Sequence, residues 1–242
     1  MRIRGGPNRG KRWSVVALGR GYGSGSFGRD RLAVLAAVTR PGDVFWDIGA
    51  HKGFVTLAAA SMVGPAGRVV AVEPSATNLR FLRRHLAWNG VRNVSVLPLA
   101  LSDAVGEAAF GGPGSSIAFR LGEGHEKVDV TTVERLVSHG DLPRPHVLKI
   151  DVEGAEAAVL RGMGPLLQGD QALLISTHGR QLYEQCRRIL LQRGFRVYDS
   201  WQIAHRIETG APWTSDHDLL AVGSRRTIPG ELDELALLSG PS

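Results

Sequence analysis

One unit, used twice, most constrains what this chain can fold into: an apolar run stops at an acid, glycine follows within a few residues, and helical periodicity then resumes. The first copy is Asp47-Ile48-Gly49-Ala50-His51-Lys52-Gly53, the second Leu148-Lys149-Ile150-Asp151-Val152-Glu153-Gly154-Ala155-Glu156. An acid on a strand end, glycines that let backbone approach a ligand, and then a helix form the layout of a nucleotide-type pocket at the carboxyl edge of an α/β sheet. A small adenosine-containing cofactor is the expected ligand.

With 242 residues, 43% apolar and 21% charged, the chain is long enough to bury a core and ordinary for a soluble globular protein. Met1 to Arg12 is basic and Gly-rich without an apolar signal region, and no run approaches the ~18 apolar residues of a membrane helix. A cytoplasmic location is expected. The single cysteine, Cys186, lies in a helical pattern and fits a reduced compartment better than a nucleophile. The net charge of +6 is uneven: eight basic residues against Asp30 alone give the first 31 residues +7, and the rest is about neutral. Such a lead segment reads as a solvated arm, with an anionic partner as the sharper alternative.

Trp13 to Leu18 reads as a short strand and Asp30 to Val38 as a helix, together an N-terminal lobe. After Pro41-Gly42, strands are expected at 44–48, 68–73, 94–99, 147–151, 172–177, 195–198 and 219–222, with helices at 52–62, 155–161 and 181–192. Ser75 is a candidate N-cap for a helix carrying Leu79, Leu82 and Leu86 and stopping at Gly90. Residues 107–130 lack helical periodicity and suggest an inserted hairpin or edge strands, and Thr131-Thr132-Val133-Glu134 resembles a capping box. Alternating strands and helices imply an α/β fold, a mainly parallel sheet covered on both faces.

Asp47 ends the first strand, Gly49 permits the turn, Gly53 lets the helix start close by, and Glu73 ends the second strand at the distance where an acid can take two ribose hydroxyls. A literal G-x-G-x-x-G at Gly23 to Gly28 offers NAD as an alternative ligand. The D-x-G-x-x-x-G spacing at 47–53 instead suits a cofactor without phosphate, such as S-adenosylmethionine.

These stretches, with Val72-Glu73-Pro74 and Ala100-Leu101-Ser102-Asp103, closely resemble FkbM-type S-adenosylmethionine-dependent methyltransferases over roughly residues 25 to 223. The resemblance implies a Rossmann-like seven-stranded methyltransferase fold with an antiparallel last strand, and O-methylation of a sugar or natural-product intermediate. It adds Ala50, His51, Pro74, Ala100 and Ser102 to the cofactor site of Asp47, Gly49, Gly53, Glu73 and Asp151. His51 stands where the family often has Asn, and Gly28 where many members have Glu. The implied organisation is a basic arm and helical lobe at 1–40, a methyltransferase domain at 41–224 and a loosely held tail at 225–242.

Methylating an alcohol requires in-line alignment and a base for its proton. Asp151, at the mouth of its strand, is the first candidate, and alternation puts Lys149, Asp151 and Glu153 on one side if the strand lasts that long. Glu153 and Glu156 could instead cap a helix. His178 sits at an equivalent edge and has the chemistry of a base near neutral pH, and His217 and Asp218, which begin the last strand, are candidates to line the acceptor side. A metal would need Asp151, Glu153 and His178 to converge; no Asp-Asn dipeptide of the catechol-methyltransferase kind is present, and no metal is expected. The expected partner is a small-molecule acceptor, a glycosylated or secondary-metabolite intermediate, with Trp201 and Trp213 as candidate stacking walls. Neither a membrane nor a nucleic acid is expected, and homodimerisation is left open. Nucleic-acid methylation is the nearest rival, encouraged by the basic arm; the fourth strand lacks the Asn-Pro-Pro-aromatic motif of base N-methylation.

Overall fold

The computed structural model describes residues 1–17, 21–112, 120–140, 142–199 and 218–227. Its strands are β1 (Val44–Ile48), β2 (Arg68–Val72), β3 (Val94–Leu97), β4 (Ala100–Leu101), β5 (Gly106–Gly111), β6 (Arg120–Leu121), β7 (Glu126–Thr131), β8 (Val147–Ile150), β9 (Ala172–Ser176), β10 (Phe195–Asp199) and β11 (Asp218–Gly223). The helices are α1 (Arg29–Val38), α2 (Phe54–Val63), α3 (Ala76–Trp88), α4 (Val133–Ser138), α5 (Glu156–Arg161) and α6 (Arg180–Gln192).

Seven strands form one sheet in the order β10-β11-β9-β8-β1-β2-β3. All pairings are parallel except those of β11, which runs antiparallel between β10 and β9. The expected parallel sheet with a reversed last strand is therefore present. Side chains alternate across it, so Phe45, Val69, Leu174 and Leu220 enter one apolar layer with α1, α2 and α3. Trp46, Val70, Leu148, Leu173 and Leu219 enter the opposite layer with α5 and α6.

The stretch without helical periodicity forms a second sheet, β4-β7-β5-β6. Ser75 caps α3 by accepting from Asn78 N–H, and Gly90 follows the helix in the left-handed conformation. The capping expectation at α4 shifts by one residue: Thr132 is the N-cap and accepts from Arg135 N–H, so Glu134 is not the reciprocal partner.

The N-terminal arm differs most from expectation. Its Trp13 is fully buried, stacks on His85 at 3.7 Å between centroids and on Tyr22 at 5.3 Å, and meets Phe54 edge-on. Asn8 Nδ2 donates to the Phe54 carbonyl at 2.7 Å. An aromatic anchor of this size outweighs the charge of the surrounding arginines, which remain at the surface. The strand expected at Trp13 to Leu18 is instead a single 3-10 turn, Val15–Ala17, with Leu18 outside the described residues.

The dinucleotide-like glycines serve this packing. A side chain at Gly25 would collide with the backbone of Gly5, and Gly28 takes the left-handed conformation at the start of α1. At the other end Arg226 is buried, donates to the Val38 carbonyl and pairs with Asp43; residues 228–242 lie outside the described residues.

Trp13→Ala removes the centre of this cluster and is expected to cost about 3–5 kcal/mol of stability, read from urea unfolding.

Candidate active site

The carboxyl ends of β1, β2 and β8 open on a cavity of about 440 Å³. Parallel register places Asp47 of β1 beside Lys149 of β8 on the same face. Lys149 Nζ lies 3.3 Å from Asp47 Oδ1 and 3.8 Å from Asp151 Oδ2, and donates to the carbonyls of Ile48 and Gly49. Asp47 is fully buried and also accepts from Thr56 Oγ1 at 2.6 Å. A cation thus holds the turn from below, where two carboxylates and two carbonyls compensate its burial.

Gly49 (φ 76°) turns so close to β8 that a side chain would strike the Asp151 carbonyl. At Gly53 a side chain would strike Leu82. His51 adopts φ 50° and directs its N–H to Glu73 Oε2 at 2.7 Å. Glu73 Oε1 accepts from Ser75 N–H at 2.9 Å and Asn78 Nδ2 at 3.2 Å. Burial pushes the Glu73 carboxyl up, against the pull of these hydrogen bonds and of Lys149.

Of the residues expected from sequence, Gly49, Ala50, His51, Glu73, Pro74, Ala100, Asp151 and Glu153 line the cavity. Asp47, Gly53, Ser102 and His178 do not. Asp47 points beneath the sheet's rim into its ion pair, Gly53 packs on α3, and the Ser102 hydroxyl turns to Asp103. Tyr22, Phe27 and Arg31 from the N-terminal lobe, and Phe110 and Leu121 from the second sheet, complete the wall. The sequence carried no signal for them, because they arrive by packing of segments without a motif.

β8 ends at Ile150, and Glu153 takes a left-handed conformation (φ 54°). The strand alternation expected through Glu153 therefore stops, and a turn performs the same convergence. His178 Nε2 lies 3.1 Å from Glu153 Oε2 and 3.7 Å from Asp151 Oδ1, and its Nδ1 lies 2.6 Å from Glu156 Oε1. Burial disfavours the imidazolium, but the hydrogen bonds and charges of Glu153 and Glu156 prevail and raise His178 to about 10. An imidazole so held carries its proton near neutral pH, unlike the free base expected from its type. Glu156 is fully buried against His178 and Gly154 N–H.

Asp218 pairs with Arg31 at 2.8 Å; His217, Trp201 and Trp213 lie outside the described residues. Cys186 is buried in α6 with its thiol pushed up to about 12 by burial and Glu156, which agrees with an inert role. Among the described residues no helix is long and apolar enough to cross a membrane.

The strand order and the rim cavity define a Rossmann-like methyltransferase fold. The profile of the Methyltransferase FkbM domain matches residues 47–197, and the chain belongs to this family of S-adenosylmethionine-dependent methyltransferases. A hexuronic acid methyltransferase, AglP, of Haloferax volcanii is 30% identical over 158 residues, 62% of this chain and 62% of its own length. Less than two thirds of that relative is therefore spanned. A precorrin-6y C5,15-methyltransferase from Geobacter metallireducens superposes with a TM-score of 0.51 at 16% identity, covering 87% of this chain and 90% of that one. The FkbM methyltransferase of Methylobacillus flagellatus gives a TM-score of 0.51 at 18% identity, over 76% of this chain and 48% of that one. Both structures share the fold.

Burial, with the charges of Lys52 and Lys149, lowers His51 to about 4. Between about pH 6.5 and 4 the unfolded chain binds a proton that the folded chain refuses, so this residue's contribution, present above pH 6.5, is lost as pH falls. His51→Asn should therefore lose less stability than the parent between pH 7 and pH 5, measured by urea midpoints.

Proposed function

We propose that this chain transfers a methyl group from S-adenosylmethionine to a hydroxyl of a sugar or natural-product intermediate. The observation that carries the reading is the pair of carboxylates, Glu73 and Asp151, on opposite sides of one rim cavity whose remaining wall is largely apolar.

Glu73 accepts three N–H bonds and retains acceptor capacity for ribose hydroxyls, since its two oxygens offer about four lone-pair sites. Pro74, Ala100 and Leu101 beside it offer an apolar surface for an adenine ring. A cavity of about 440 Å³ is within the range of small-ligand sites. When bound, S-adenosylmethionine supplies an electrophilic methyl. Asp151 faces the reacting oxygen and takes its proton, with Glu153 at the polar end of the cavity and His178 behind it, holding both carboxylates. Tyr22 and Phe27 of the N-terminal lobe cover the site and limit water. The name of the Haloferax relative supports a sugar acid as the acceptor class.

Calorimetry with S-adenosylhomocysteine tests the cofactor half. Glu73→Gln should weaken binding on the order of 10- to 100-fold, because charge-assisted hydrogen bonds to hydroxyls become neutral ones. For the chemical half, uronic acid and neutral hexose glycosides serve as acceptors and mass spectrometry reads the gain of one methylene. Asp151→Ala should keep cofactor affinity within about tenfold while turnover falls by roughly 10² to 10⁴. Unchanged turnover would remove Asp151 from the mechanism.

A further inference from the structure

We propose that Asp151, Glu153 and His178 form a binding site for one divalent first-row cation, of which Mn²⁺ best suits two carboxylates and one imidazole. The proposal deepens the methyl-transfer reading and rests on it for the ion's role, though not for its binding.

Among the described residues these three are the grouping of donor side chains close enough to share an ion, with ligand atoms within 4.8 Å of one another. An ion about 2.1 Å from each donor places adjacent donors about 3 Å apart. His178 Nε2 already lies 3.1 Å from Glu153 Oε2, and Asp151 Oδ1 at 3.7 Å requires only a small approach. The side chains are 23–28% exposed, so solvent or an acceptor can complete the coordination.

A second observation is independent of that convergence. Glu156 is fully buried, and its Oε1 faces His178 Nδ1 at 2.6 Å. Among the described residues its buried Oε2 has no hydrogen-bond partner. A histidine that ligates a metal through one nitrogen typically gives its other N–H to a carboxylate, which fixes the tautomer and turns the free nitrogen outward. Glu156 is placed for that duty. The ion takes the place of the Nε2 proton of His178, which leaves to solvent as that nitrogen ligates while Nδ1–H stays with Glu156. The three carboxylates then balance the dication, with Lys149 engaged mainly by Asp47 and the β1 carbonyls.

Asp151 and Glu153 both line the cavity, so the ion sits at its polar end. There it holds the acceptor oxygen and lowers the pKa of its hydroxyl. Asp151 ligates through Oδ1 and keeps Oδ2 for the proton. The O–H bond breaks toward Oδ2 and the oxygen pair forms the new bond to the methyl carbon. The C–S pair stays on sulfur, leaving a neutral thioether.

The test is a titration of the chelator-stripped full chain with Mn²⁺, followed by the electron paramagnetic resonance of the free ion. Parallel calorimetric titrations use Zn²⁺ and Mg²⁺, and binding of S-adenosylhomocysteine is measured on every sample. We expect one Mn²⁺ per chain, weakened at least tenfold by Glu153→Gln and by His178→Ala. Glu156→Gln should weaken it about 10- to 100-fold. Cofactor binding should persist in these variants, which excludes unfolding. No stoichiometric ion on a parent chain that binds S-adenosylhomocysteine would overturn the proposal, and so would ion binding unaffected by either ligand substitution. Ion binding on a parent chain that refuses S-adenosylhomocysteine would sustain the metal site and overturn the methyl-transfer reading.

Discussion

A buried ion pair between neighbouring strands organises the rim of this sheet. Asp47 and Lys149 are register partners in β1 and β8, so their side chains emerge on the same face at van der Waals spacing. The ammonium then reaches forward to the carbonyls of Ile48 and Gly49 and sideways to Asp151. One side chain thereby ties the glycine turn after β1 to the acid after β8. Removing either partner would strand a charge in the core, a cost that usually exceeds the worth of the pair itself. The turn it fixes presents His51 N–H to Glu73, and the acid of β2 is held in turn. Three strand ends are thus coupled through the Lys149 ammonium and the His51 N–H.

Around that frame the chain divides its polar work by position. Asp47, fully buried, is structural support, whereas Glu73 and Asp151 present oxygens to the cavity. The second turn, after β8, uses a left-handed Glu153 to fold two carboxylates back toward His178. A non-glycine residue in that conformation is held there by its surroundings, and such positions cluster where side-chain placement matters. Glu156 behind the imidazole supplies the restraint that a site of this kind needs.

The N-terminal segment shows how a short aromatic set changes the meaning of composition. Its arginines mark it as a solvated arm, yet Ile3, Trp13 and Tyr22 are buried and the segment closes one side of the cavity. Burying a tryptophan yields more than exposed charges cost, since the latter keep their hydration. The close packing of Gly5 and Gly25 explains a glycine pattern that resembles a dinucleotide fingerprint. The missing element is sequence context: the motif needs a parallel strand before it, and among the described residues none precedes it.

The sequence by itself determined the strands of the main sheet, the sheet's class and the acids at its rim, because short continuous apolar runs and strand-end glycines are local signals that physics reads residue by residue. Outside that sheet, the strand expected at Trp13 to Leu18 is a 3-10 turn at Val15–Ala17. The sequence also put Glu73 and Asp151 at the ends of their strands, where both line the cavity, since each directly follows a strand whose end is marked. Only the tertiary structure decided which acids face the cavity, that Asp47 is spent on Lys149, and that Asp151, Glu153 and His178 meet. Those outcomes depend on register between strands about a hundred residues apart and on a backbone turn after Ile150. Neither leaves a periodic trace in the chain, so convergence in space had to be seen rather than read.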